Sequence, residues 1–366
     1  MNKVKASLFT VLLIVGLILT GCSDASQEGK SDEPTESQNQ TSDSAPDKEQ
    51  NTEKEMAAYY FTADEGGSIT KIDANTNQVD STIKVEGTAH NVQVSPDGTM
   101  LAATIVPKMD HGHGDAMDMD MPGTALFLDT ATNEVLKTVE VGNHPAHIVF
   151  TDDGKYVLVT NNEDNTVSVI DIASFEVTAT IGTGKGPHGF RISSDSSTAY
   201  IANMGEDTVS VVSLKTMKED KKIKVGMAPV TTAISSDGKT LIATLNSENA
   251  LAVIDLETEK VDMVPVGNGP AQVYLDGNDQ FAYAANQGTE ENPSNTVTVV
   301  DIHSKKATAT IETGKGSHGV VTSPDNKRIY VTNMFDHTVS VIDAEQNKVI
   351  ETIQVGKTPN GISIMN

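Results

Sequence analysis

The chain repeats itself, and the repeat limits the folds open to it. A unit of the form Gly-x-x-Pro…Ser-x-Asp-Gly…Tyr…Asn…Thr-Val-x-Val-Ile-Asp recurs, with Ala89, Pro145, Pro187, Pro229, Pro270, Ser317 and Pro359 at its proline-like position. These positions lie 56, 42, 42, 41, 47 and 42 residues apart, and the two long gaps hold insertions at 107–122 and near 289–294. Within each unit, alternating runs such as Tyr156-Val157-Leu158-Val159 and Thr166-Val167-Ser168-Val169-Ile170 are separated by Asp-Gly or Asn-rich turns. Period-two alternation between turns means antiparallel strands. Four strands in a unit of about forty residues make a propeller blade.

Tyr59 to Val85 reads as three strands ahead of the first complete unit, and the sequence ends on one innermost strand, Pro359 to Ile364. Together they make one blade, so the expected fold is all-β: a seven-bladed β-propeller whose N- and C-terminal segments share a blade. Sharing closes the ring and removes free sheet edges.

Tyr330-Val331-Thr332-Asn333, with Tyr200-Ile201-Ala202-Asn203 and Tyr283-Ala284-Ala285-Asn286 as variants, resembles the signature of the YVTN-type β-propeller repeats. Ser95-Pro96-Asp97-Gly98 and Ser323-Pro324-Asp325-Asn326 resemble that family's turn between the first two strands of a blade. The resemblance covers about residues 57–366. It implies the fold and leaves function open, since the family mixes surface proteins, binding proteins and a few enzymes.

Ahead of the repeats, Lys3 and Lys5, an apolar run from Leu8 to Leu19 and Thr20-Gly21 have the layout of a signal peptide, too short to span a bilayer comfortably. Leu19-Thr20-Gly21-Cys22 resembles a bacterial lipobox, which implies that residues 1–21 are removed and that Cys22, the only cysteine, is lipidated. Residues 22–55 are then a disordered acidic tether with ten acidic and three basic side chains, and 56–366 is the propeller. The expected place is the outer face of the cell membrane, held through the lipid anchor. Of the formal net charge of −25, residues 56–366 carry −20 once the tether's −7 and the leader's +2 are set aside. Such a body disfavours nucleic acid and can attract cations. Arginine occurs only at Arg191 and Arg328, which weakens a phosphorylated substrate, and tryptophan is absent.

In a blade, the first strand lines the central channel. The loop entering it and the loop joining the second and third strands share one face of the disc. His90, His188 and His318 sit one residue past the proline-like position, at the mouth of that strand. His144 and His147 fall in the equivalent loop of blade three, and His111, His113 and His337 in loops between second and third strands. Eight of the nine histidines therefore share a face, His303 being the exception. Met204 and Met334 follow Asn203 and Asn333 in the same set of loops. Blade two carries its 107–122 insertion there, with Met109, His111, His113, Met117, Met119 and Met121 interleaved with aspartates and glycines. Blades two, four and seven are spaced by two, three and two, which predicts a nearly trigonal set of inward histidines.

Imidazole suits copper, zinc, nickel and iron, and thioether selects Cu(I). The expectation is a membrane-anchored metal-binding lipoprotein, with a copper ion as ligand, acting in capture, buffering or delivery, and served by an extracytoplasmic protein partner. Three other classes stay open. The first is a redox or haem-like-ligand propeller, since the inner histidines resemble those of nitrous-oxide reductase and cytochrome-type nitrite reductases, although Cys-x-x-Cys-His is absent. The second is a protein-binding scaffold. The third is a lactonase-type hydrolase, against which the missing Gly-x-Ser-x-Gly counts.

Overall fold

The computed structural model describes residues 58–108 and 121–365. Its regular structure is seven four-stranded antiparallel sheets with a single 3₁₀ turn at Asn246–Glu248. The innermost strands are Thr88–Val94, Pro145–Phe150, Pro187–Ile192, Pro229–Ile234, Pro270–Leu275, Ser317–Thr322 and Pro359–Ile364. Each packs on the next, and Pro359–Ile364 packs on Thr88–Val94 to close the ring. Pro359–Ile364 also pairs with Tyr59–Asp64 in the register Tyr60↔Ile364 and Thr62↔Ile362, so the two chain segments share blade one. The expected fold is the observed one. The leader, Cys22, the tether and residues 109–120 of the insertion lie outside the described residues.

Sequence pattern explains the layers. The second and third strands of a blade are buried almost throughout, as in Tyr156–Asn161 and Thr166–Asp171, because neighbouring blades cover both of their faces. Outermost strands such as Lys348–Gln354 alternate charged, exposed residues with a buried Ile353. Apolar clusters fill the wedges between blades. Phe61, Leu101 and Leu128 join blades one and two, and the Tyr60 and Tyr330 rings, 4.5 Å apart, join blades one and seven.

The recurrent polar residues are structural pins. Asn333 donates to Thr338 Oγ1 and Ser340 Oγ at 2.9 Å each and accepts from the Gly314 backbone N–H at 3.1 Å. Asn161, Asn203 and Asn286 donate to the corresponding pairs of hydroxyls in their blades. The side chain is fully buried, so Asn333→Ala should cost about 2 kcal/mol in urea unfolding, chiefly by orphaning the Gly314 N–H. The Ser-x-Asp turns are pinned likewise. Ser95 Oγ donates to Asp97 at 2.6 Å and accepts from the Met100 N–H at 2.9 Å. The 289–294 insertion lengthens a hairpin, Phe281–Gly288 with Pro293–Asp301, and does not form a separate loop.

Every innermost strand breaks register with its neighbour just after the proline-like position, for example between Ser317 and Val320 and between Pro187 and Phe190. A bulge there re-aims the side chains at the channel mouth. Threonines bridge several of the gaps. Thr332 Oγ1 accepts from the Gly319 N–H at 2.7 Å and donates to Asn360 O at 2.9 Å, tying one innermost strand to the next. Thr160 does the same between His147 and His188.

A histidine-lined channel mouth as candidate site

The bulges gather histidines on the channel axis. His90 Nδ1 lies 3.0 Å from Glu65 Oε1, and its Nε2 lies 3.5 Å from His188 Nε2. The His147 ring stands 4.9 Å from that of His188 and 6.3 Å from that of His90, and the His144 ring is 6.2 Å from His90. His318 makes no ring contact with these among the described residues. Its Nδ1 faces Asn360 O at 3.3 Å and Gln272 Nε2 at 3.5 Å. The mouth is therefore lopsided: His90, His147 and His188 cluster on blades two to four, and His318 stands apart on blade seven.

Partners fix the protons. The Val230 carbonyl, 3.2 Å from His188 Nδ1, requires an N–H there, which leaves Nε2 as a lone pair in the neutral ring. The Glu65 carboxylate likewise requires an N–H on His90 Nδ1. Asn360 Nδ2 donates to the same carboxylate oxygen at 2.7 Å. The two Nε2 atoms thus meet lone pair to lone pair unless a proton or a cation lies between them. Two imidazoles sharing a tetrahedral metal at 2.0–2.1 Å bring their nitrogens to about 3.3–3.4 Å. His147 Nε2 is buried beside them with no hydrogen-bond partner among the described residues.

The local field favours neutral rings. Burial, then the neighbouring histidines and Arg191, hold His147 well below the ordinary histidine range. Burial and His90 push His188 down to about 3. Burial and His90 push His318 down to about 4, against the pull of Glu65. Burial raises the Glu65 carboxyl, but its hydrogen bond from His90, the charge of that ring and the hydrogen bond from Asn360 together bring it below its usual value. Among the described residues, no three His, Cys, Asp or Glu side chains already stand as one metal-ligand set.

The other anticipated residues scatter. Met204 is 45% exposed, and Met334 is buried with Gln287 Nε2 on its sulfur at 3.1 Å. Met121 is half-buried just ahead of the strand Pro122–Asp129, while Met109, His111, His113, Met117 and Met119 lie outside the described residues. His337 accepts from the Thr358 N–H at 3.0 Å and serves its turn. His303 is exposed on the opposite face. His147 sits inside the strand Pro145–Phe150, not in the loop the sequence suggested, one place beyond the repeat position that His90, His188 and His318 share. Glu65 was also missed. Its backbone N–H bonds to Thr358 O as that of Met204 bonds to Gly186 O and that of Met334 to Gly316 O, so aligning the residue after each second strand would have found it.

Comparison with known proteins adds a family. The model of the Choice-of-anchor I domain matches residues 48–280, well over half of the chain. The chain belongs to the Choice-of-anchor I domain family. The matched part of this Choice-of-anchor I protein carries Glu65, His90, His147, His188 and Gln272, whereas His318 and Asn360 lie beyond it. No curated protein matches it. Among solved structures, Kuenenia stuttgartiensis hydrazine synthase is similar with a TM-score of 0.64 and 22% identity, over 75% of this chain and 89% of that one. A candidate 6-phosphogluconolactonase of Bacteroides fragilis NCTC 9343 is similar with a TM-score of 0.66 and 13% identity, over 85% of this chain and 99% of that one. At these identities the likeness is one of fold.

Proposed function

We propose that the protein is an extracytoplasmic propeller lipoprotein of the YVTN-repeat type, anchored through Cys22, that holds a transition-metal ion, copper first, at its channel mouth. The ligands are His90 and His188, with His147 brought in by a ring rotation. The observation that carries the reading is the 3.5 Å approach of His90 Nε2 to His188 Nε2, with each Nδ1 already committed to another acceptor. Glu65 would orient His90 and raise its basicity, as carboxylates do for metal-bound histidines. The neutral state of His147 and His188 removes proton competition at ordinary pH. The Met/His/Asp insertion, rooted beside this mouth, would raise the local supply of the ion, and capture, buffering or delivery to a protein partner is the corresponding role.

The test is titration of the full-length chain with Cu(I), Cu(II) and Zn(II), alongside His90→Ala/His188→Ala and a 109–121 deletion. One tight ion per chain is expected, weakened at least 100-fold in the double variant and less in the deletion, since removing ligand-orienting groups alone costs 10- to 100-fold. Loss only in the deletion moves the site to the insertion. Affinity no better than that of an acidic surface, in every arm, leaves the propeller as a scaffold for a protein or organic ligand.

A further inference from the structure

Three positions further along the innermost strands, the channel holds a second ring of residues of different character. An axial cavity of about 80 Å³ is lined by Gln93, Arg191, Gln272, Tyr274 and Ser363 among apolar neighbours such as Ile148 and Val321. Arg191 is one of only two arginines in the chain. The other, Arg328, pairs with Asp343 at 3.1 Å. Arg191 has no such partner among the described residues: its Nη1 donates to its neighbour's carbonyl, Phe190 O, at 2.9 Å, and its guanidinium stands 5.7 Å from the Tyr274 ring centre. Asp152, Asp276 and Asp279 line a shallower pocket with it, and among the described residues none of the three forms an ion pair with it. A half-buried cation without a counter-charge is costly. In a body of net charge −20, carboxylates were plentiful, and none of the described ones pairs with this guanidinium.

Gln93, Ser363 and Tyr274 offer donors to the cavity, while Gln272, its Nε2 turned to His318, keeps its Oε1 as an acceptor. Gln93 Oε1 is taken by the Phe150 N–H at 2.6 Å, which leaves its amide hydrogens. Ser363 Oγ accepts from the Val94 N–H at 3.0 Å, which leaves its hydroxyl hydrogen. Tyr274 adds a phenol hydroxyl, and Arg191 keeps the N–H groups that Phe190 does not use. A space of this size holds about five waters, or one anion of three to five heavy atoms.

We propose that this cavity binds a small oxyanion of the carboxylate or phosphate type, clamped by the Arg191 guanidinium and hydrogen-bonded by Gln93, Ser363 and Tyr274. The guanidinium fork matches such oxygens in pairs, which a spherical halide does not. The site is independent of the metal reading, since it lies below the histidines and uses none of them.

The test is calorimetric titration of the full-length chain with formate, acetate, phosphate and chloride, in excess chelator, with ionic strength held by a sulfonate buffer too large to enter. One oxyanion per chain should bind saturably and at least tenfold more tightly than chloride. Arg191→Met should weaken it at least tenfold, and Arg191→Lys less. Should Arg191→Met fail to fold, Tyr274→Phe keeps the ring, removes one donor and should weaken binding several-fold. No saturable binding of any oxyanion to the unsubstituted chain overturns the proposal. Unchanged affinity in Arg191→Met, or in Tyr274→Phe where that variant stands in, overturns it equally. Because chelator is present throughout, failure here says nothing about the metal, and loss of metal binding says nothing here.

Discussion

Taking the protein from pH 6 to pH 5 should remove about 3 kcal/mol of its unfolding free energy, through protons that three histidines accept only when the chain is unfolded. In the unfolded chain His147, His188 and His318 titrate near 6.5; folded, His188 and His318 titrate near 3 and 4, and His147 lies well below 6.5. Across that window the unfolded state binds more protons, so stability is complete above pH 6.5 and is lost as pH falls toward 4. Each histidine contributes a slope of at most about 1.4 kcal/mol per pH unit. Burial is the leading cause for all three, and the groups facing them are His90, His144, Glu65, Arg191 and one another. Asp64, whose carboxyl burial raises, titrates in the opposite sense and softens the loss at the acid end. Urea unfolding at pH 7.5, 6 and 5 measures the effect, and His318→Gln should flatten the slope by about a third. A midpoint that does not move between pH 7.5 and 5 would mean that water reaches these rings. A bound metal should shift the loss to lower pH, because protons must displace it.

Gly189→Ala should cost about 3 kcal/mol, near the upper end for an overpacked core. Gly189 follows His188 in the innermost strand of blade four, and a methyl there would stand 2.3 Å from Thr231 Oγ1, 2.5 Å from Thr231 Cβ and 2.9 Å from its Cα. Thr231 belongs to the innermost strand of blade five, so relief requires moving one blade against the next. Gly182 is the control. It ends an outermost strand with nothing within 4 Å of the added methyl, and Gly182→Ala should leave stability within about 0.5 kcal/mol. Equal unfolding midpoints for the two variants would refute the close approach of blades four and five.

The fold was legible because each pin repeats. The buried asparagine recurs in four of the seven blades, the Ser/Thr-x-Asp turn in five and the alternating strands in all, and a repeated local rule survives translation into sequence. The site was legible only where it obeys that rule. His90, His188 and His318 announce themselves by position. His147 reaches the same mouth from the next residue along, because each innermost strand bulges there, and a bulge has no letter of its own. Glu65 occupies a place where other blades carry asparagine, methionine or glutamine, so its chemistry hid its alignment. The trigonal arrangement expected from blade spacing gives way to a cluster, since His147 bridges His90 and His188 across blade three while His318 turns to Asn360 and Gln272. The scarcity of arginine, read in the sequence as evidence against a phosphorylated substrate, left no hint that one of the two would stand on the channel axis.

The shared blade carries a consequence for the order in which the molecule is built. Pro359–Ile364 comes after every other strand among the described residues, yet it supplies Asn360, which holds Glu65 and caps His318, and Ser363, which faces the cavity at Arg191. Both clusters therefore stay incomplete until Pro359–Ile364 has paired with Tyr59–Asp64, so a ring opened at that one seam would lose the mouth and the cavity together.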